Sequence, residues 1–192
     1  MKNYPTYEEY VKHQVSKIQD PLIIDRLLNT EWDLWLNGFK VVFNNHADIL
    51  RECTSAICLG ARTGQEVQAL QDMGVSATGI DLKAFPPLVA AGDVHNISFE
   101  DESFDFVFSN IFDHALYPKK FVLEIERILR PGGYALMHFY VGRKLDVFGV
   151  NQVTSVEKEV FPLFEKVKII HCKEIQLAGV LSCYNWEVLV QK

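Results

Sequence analysis

Residues 56–67, AICLGARTGQEV, read as a buried strand that turns through Gly60 and Gly64 into a helix starting near Gln65. A strand that enters a helix through glycines aims backbone N–H groups and the positive end of the helix dipole at whatever sits above the strand. Gly60 permits a tight turn, and Gly64 permits close approach of a ligand. Arg62 occupies the middle of this turn, where nucleotide-binding loops ordinarily carry another glycine. The flanking sequence decides which ligand such a loop admits.

Downstream, short apolar runs alternate with helical patterns. Residues 65–73 form a helix closed by Gly74, and residues 77–81, ATGID, a second strand ending in Asp81, 21 positions after Gly60. Residues 88–93, LVAAGD, and 104–109, FDFVFS, supply a third and a fourth strand. Pro118 opens a helix whose stripe is Phe121, Val122, Ile125, Ile128 and Leu129; Arg130-Pro131-Gly132-Gly133 stops it, and residues 134–141, YALMHFYV, are a fifth strand. A helix-like segment covers residues 160–164. Residues 167–172 and 184–191 then read as two strands with no helix between them, an antiparallel pair. The alternation predicts βαβ units, an α/β fold with a mostly parallel sheet covered on both faces.

Upstream, residues 1–50 read as helices. Tyr7, Val11, Val15 and Ile18 share one face, and Trp32, Trp35, Leu36, Phe39, Val42 and Phe43 follow the i, i+3, i+4, i+7 rule. No Gly/Ser-rich linker follows. The chain of 192 residues is therefore expected to be one domain, residues 1–50 forming a helical cap on a core of residues 51–192.

An apolar content of 48% with 23% charged residues is that of a globular protein, and a net charge of −6 argues against a broad grip on nucleic acid. No run reaches the ~18 apolar residues of a membrane span, and residues 1–14, MKNYPTYEEYVKHQ, lack an apolar signal core. Cys53, Cys58, Cys172 and Cys183 show neither CxxC pairing nor histidines at zinc spacing. They read as reduced, mostly buried thiols of a cytoplasmic protein with no metal site.

Dinucleotide enzymes also place an acid at the end of the second strand, but their G-x-G-x-x-G fingerprint fails here at its second and third glycines, as G-A-R-T-G-Q. A Walker-type loop is absent, which disfavours phosphate ligands and a nicotinamide-dependent reductase. Taken in order, LGARTG, Asp81, Gly92-Asp93-Val94, SFDFVFS at residues 103–109 and LRPGG at residues 129–133 resemble the class I S-adenosylmethionine-dependent methyltransferases of the small-molecule type. LGARTGQE together with FDHAL is also similar to a group of uncharacterised plant-type members. The resemblance runs from about Ser55 to Tyr140. It implies a Rossmann-like three-layer sandwich with a seven-stranded sheet whose last strand is antiparallel, S-adenosyl-L-methionine as cofactor, and methylation of an unidentified small molecule.

By the same resemblance, Gly60, Ala61 and Gly64 line the methionine moiety, Asp81 holds the ribose hydroxyls with Leu82 against the adenine, and Asp93 accepts from the adenine amino group beside the Val94 backbone. Ser109 and Asn110 face the reacting methyl. Two departures stand out. The acid that usually precedes the first glycine by two residues is Cys58, and the central glycine is Arg62. Arg62 either binds the methionine carboxylate, with Glu66 replacing part of the lost acid, or points to solvent. Only eleven residues separate Asp81 from Asp93, Pro86 and Pro87 among them, too few for a helical crossover of about ten to twelve residues plus its turns.

Methyl transfer to oxygen or nitrogen can need a base. His114, after the fourth strand, has a suitable native pKa range, and Asp113 could orient it; the other reading of His114 is a packing or capping histidine. His138 lies within a strand and reads as structural. The alternative to an enzyme is a non-catalytic relative that binds the cofactor or serves as a partner subunit.

Overall fold

In the computed structural model, residues 4–192 are described; residues 1–3, at the head of the expected cap, lie outside them. Thr6 caps α1 (Tyr7–Ser16) by accepting from the Glu9 N–H, and Asp20 caps α2 (Pro21–Asp25) in the same manner. A π-helical turn, Arg26–Thr30, leads into α3 (Trp32–Asn44), and α4 (Ala47–Leu50) follows. Then come β1 (Ser55–Leu59), α5 (Gln65–Asp72), β2 (Ser76–Asp81), β3 (Val89–Ala91), β4 (Phe104–Ser109), α6 (Pro118–Ile128), β5 (Leu129–Phe139), α7 (Val156–Glu159), β6 (Lys168–Glu174) and β7 (Trp186–Gln191).

The seven strands form one sheet in the order β3-β2-β1-β4-β5-β7-β6. Neighbours from β3 through β5 are parallel, and β7 runs antiparallel between β5 and β6. This is the Rossmann-like arrangement the sequence predicts, with helices on both faces. One face packs Phe121, Val122, Ile125 and Ile128 of α6 against Ile57, Val107 and Met137. The other packs Phe39, Val42 and Phe43 of α3 and Val67 and Leu70 of α5 against Cys58, Phe106 and Phe108. Phe39 and Phe43 both meet the Phe108 ring edge-on, at 5.7 and 5.1 Å, which fastens α3 to the sheet centre.

Three local expectations change. The strand after α6 begins at Leu129, not Tyr134: the R-P-G-G segment is its first part, with Leu129 opposite Phe104 and a register shift before Tyr134 pairs with Phe106. The end of the chain holds it there, because Gly132 N–H donates to Lys192 and Lys192 N–H to Gly133. Helix-like residues 160–164 are a 3-10 turn, Phe161–Leu163, after the single turn of α7. Of the four unpaired cysteines only Cys58 is buried. As the short Asp81–Asp93 interval requires, β2 and β3 are joined without a helix, and Phe85 and Val89 bridge through paired backbone bonds. Among the described residues no helix is long and apolar enough to cross a membrane.

Candidate active site

The sheet order reverses between β1 and β4, which leads the chain to opposite sides and opens a crevice above their carboxyl ends. A cleft of about 780 Å³, open solvent included, occupies this position. Its floor is Gly60, Arg62, Asp81, Leu82, Asp93, Val94, Asn110 and Ile111; His114 and Tyr184 stand at one side, and Tyr10, Gln14, Lys17 and Ile18 form the roof. A smaller recess shares Gly60, Arg62 and Asn110 with it and ends on Leu27, Trp35, Phe39, Gln65 and Glu66.

Eight of the twelve residues singled out from sequence thus meet in one cleft, and four do not. Ala61 is fully buried in the core, its Cβ beneath Gly79. Gly64 is the α5 N-cap at φ +95, where a Cβ would meet Leu88 at 2.8 Å, so its smallness serves strand packing rather than ligand approach. Ser109 is buried and donates to the Leu59 carbonyl at 3.1 Å, tying β4 to β1. Asp113 lies behind His114, where its backbone carbonyl accepts from Val150 and Asn151.

The turn itself differs from an open N–H cradle. Gly60 and Ala61 both donate to the Ile80 carbonyl, at 2.9 and 3.0 Å, and Gly64 donates to Ala61. Arg62 takes the left-handed conformation, φ 47, in which its N–H reaches the Asp81 carboxylate at 2.9 Å. Its guanidinium lies 4.9 Å from the Trp35 ring centre, a cation–π contact that fixes the side chain at the junction of cleft and recess. The arginine is therefore ordered by both ends. Gly60 is needed at φ +77, where a Cβ would collide with the Ile111 side chain at 2.7 Å.

The carboxyls divide by their partners. Burial raises Asp81 above the ordinary range, against the N–H donors of Arg62 and Lys83. Burial also acts on Asp93, but hydrogen bonds from His95 and Tyr7 more than reverse it and bring the group to about 2. Tyr7 O–H donates to Asp93 Oδ2 at 2.7 Å, and the His95 N–H donates to Oδ1 at 2.8 Å. Glu66 is pushed up to about 8 by burial, which the nearby Arg62 charge only partly opposes. Burial lowers His114 and raises Asp113, so the imidazole is held neutral. Their closest atoms, Nε2 and Oδ2, are 3.6 Å apart, and His114 Nδ1 is buried with no hydrogen-bond partner.

Sequence reasoning missed the roof. It assigned α1 an apolar face of Tyr7, Val11 and Val15, whereas the side above the cleft is Tyr10, Gln14 and Lys17, spaced i, i+4, i+7. Tyr10 donates to the His114 carbonyl at 2.9 Å and Gln14 to Phe148 at 2.7 Å. A polar stripe at helical spacing was the available signal, masked by the more hydrophobic one beside it.

Residues 57–137 match the family model of a methyltransferase domain. A stretch of 47 residues is 51% identical to phthiotriol/phenolphthiotriol dimycocerosates methyltransferase 1 of Mycobacterium ulcerans, covering 23% of this chain and 17% of that protein. The match thus spans about a sixth of the length of that relative. Among solved structures, the fold is shared with a Burkholderia thailandensis 1,6-didemethyltoxoflavin-N1-methyltransferase bound to its substrate and S-adenosylhomocysteine, with a TM-score of 0.74 and 15% identity over 100% of this chain and 92% of that one. It is shared too with a SAM-dependent methyltransferase from Aquifex aeolicus, with a TM-score of 0.61 and 18% identity over 93% and 97% of the two chains.

Proposed function

We propose that this chain, whose residues 57–137 match the model of a methyltransferase domain and whose fold is that of class I S-adenosylmethionine-dependent methyltransferases, transfers the methyl group of that cofactor to a small-molecule acceptor held under α1. The observation that carries the reading is the single cleft in which Asp81 and Asp93 stand beside Leu82 and Val94, with Asn110 and the Arg62 side chain beyond them and His114 at the side. Carboxylates accept from hydroxyl and amino donors, and apolar walls take a flat base, so the lining fits an adenosyl group. The recess that ends on Glu66 and Arg62 offers one acid and one cation, the complement of an amino acid's two charged groups.

When bound, the cofactor supplies a methyl already activated on a sulfonium, and the chain has to position and desolvate. Asp81, oriented by the Arg62 N–H, holds the ribose hydroxyls; Asp93, oriented by Tyr7 and His95, accepts from the adenine amino group; Leu82 and Val94 flank the base. Arg62 and Glu66 take the carboxylate and ammonium of the methionine end, with Gly60 and Asn110 beside them. Ala61, Gly64 and Ser109 shape this wall from behind. His114, neutral through burial, accepts the acceptor's proton, and Asp113 steadies the resulting cation.

Calorimetry with S-adenosylhomocysteine tests the cofactor half: wild-type protein binds, NADH gives no signal, and Asp81→Asn loses on the order of 100-fold in affinity. Unchanged affinity in Asp81→Asn overturns the assignment. Transfer of a labelled methyl group to a small-molecule extract tests the other half, with His114→Ala lowering kcat by about 10²–10⁴-fold while homocysteine-product binding persists. A second reading, a cofactor-binding protein without transfer, draws on the inward use of the Gly60 and Ala61 N–H groups; binding with no transfer to any fraction would favour it.

A further inference from the structure

On the α3 side of the sheet, outside the cleft wall, three imidazoles converge on one carboxylate. His138 of β5 faces Glu187 of β7 across the antiparallel pair, and Lys173 of β6 faces it from the other side. His138 Nε2 lies 3.0 Å from Glu187 Oε2, and His46, in the turn between α3 and α4, brings its Nε2 to 3.2 Å from the same oxygen. His171 Nε2 is 3.0 Å from Oε1. One donor atom each from His46, His171 and Glu187 fall within 4.8 Å of one another.

We propose that His46, His171 and Glu187 bind a divalent metal ion of the zinc class, with His138 hydrogen-bonded to Glu187 beside it. Sequence spacing gave no sign of it, because the three positions come from three separate segments.

Geometry and chemistry both support it. Zinc bonds to nitrogen and oxygen of about 2.0–2.2 Å set neighbouring ligands of a tetrahedron roughly 3.3–3.5 Å apart. The three donor atoms lie within 4.8 Å of one another, with Glu187 Oε2 3.2 Å from His46 and Oε1 3.0 Å from His171, so the side chains must draw together by up to about 1.5 Å to reach that spacing. A hydrogen-bonded network alone leaves two buried nitrogens without a partner, His138 Nδ1 and His46 Nε2, and the second faces the carboxylate: the His46 side chain is 5% exposed, and its Nε2 has no hydrogen-bond partner despite the short distance to Oε2. A buried polar nitrogen aimed at a carboxylate but not bonded to it costs stability unless something lies between them. Two imidazoles and one carboxylate are a borderline donor set suited to zinc rather than magnesium or calcium. Lys173, at 3.0 Å from Oε1, is the competing cation, and its side chain is 51% exposed and can swing to solvent.

Three protein ligands leave the fourth position of a tetrahedral ion to water. The ion fastens the end of α3 to β6 and β7. The Tyr184 ring, 6.1 Å from His138, separates it from the cleft.

The test uses tag-free full-length protein, stripped with chelator and titrated with cobalt(II) as an optical probe. The expected result is one equivalent of cobalt per chain with the intense visible absorption of a four-coordinate ion, displaced stoichiometrically by zinc. His46→Asn and His171→Asn should each weaken uptake by more than about 100-fold, with circular dichroism confirming that both variants are folded. No saturable uptake by wild-type protein overturns the proposal, as does equal uptake by the double variant or the weak absorption of a six-coordinate surface ion. Any of these leaves Glu187 as a hydrogen-bonded ion-pair hub.

Discussion

Glu66 and Glu187 are buried to nearly the same degree, 5% and 4% exposed, yet their carboxyls move in opposite directions. Burial drives Glu66 up to about 8, since Arg62 is the one cation acting on it and that guanidinium is stacked on Trp35. Burial acts on Glu187 as well, but the imidazoles of His138 and His46 and the Lys173 ammonium overcome it and hold the group far below the carboxylate range. Depth alone therefore does not set the charge of an interior acid; the number of donors that reach it does. The two acids also divide the sheet by role. Glu66 faces the recess beside the cleft, a place left short of positive charge that a ligand ammonium can fill. Glu187 sits where three strands and a helix end meet, among His46, His138, His171 and Lys173.

The largest expected effect follows from removing the hub. Glu187→Ala leaves buried imidazoles and a lysine without their common partner, and should lower unfolding stability in urea at pH 7 by about 3–5 kcal/mol. A loss below about 1 kcal/mol would mean that these contacts add nothing beyond an exposed ion pair.

Glu66→Gln should do the reverse, and only in a defined pH window. Below the unfolded value of about 4.5 both states of the wild type are protonated, so the variant and wild type match. As pH rises from there to about 8 the unfolded chain ionises while the folded one keeps its proton, and wild-type stability falls relative to the variant. At pH 8 the variant should be more stable by roughly 4 kcal/mol, on about 1.4 kcal/mol for each pH unit between those two values. Equal stability at pH 5 and pH 8 would show that Glu66 is not a neutral interior acid. The same group predicts that S-adenosylhomocysteine binding at pH 7 releases a proton in wild type and none in Glu66→Gln, readable by calorimetry in buffers of different ionisation enthalpy.

The smallest effect belongs to the α1 contact behind Asp93. Tyr7→Phe removes the 2.7 Å hydrogen bond to Asp93, and should cost about 1 kcal/mol of S-adenosylhomocysteine affinity, roughly five-fold. No change would place α1 outside the ligand's reach.

Much of the fold was legible because it is written in periodicity. The runs at residues 55–60, 77–81 and 104–109 alternate with helices whose stripes repeat every three or four residues, and that alternation specifies a parallel sheet with two covered faces. Asp81 and Asp93 were legible because the first ends β2 and the second follows β3 by two residues, and the carboxyl ends of parallel strands share one edge in such a sheet. The start of β5 was not: R-P-G-G carries every local sign of a stop, and only its bonds to Lys192, the last residue, extend the strand back to Leu129. Gly64 and Ala61 were read as ligand contacts because glycine's freedom looks the same whether a ligand or Leu88 needs the space.

The sequence by itself determined the sheet class and the carboxylates at the crevice, because these depend on order and spacing along the chain. Tertiary structure alone decided that Arg62 is fixed between Asp81 and Trp35, that Tyr10, Gln14 and Lys17 roof the cleft, and that His46, His138, His171 and Glu187 meet. Those pairings join positions up to 141 residues apart, as between His46 and Glu187. No local pattern encodes such distances, because they are set by how whole layers pack.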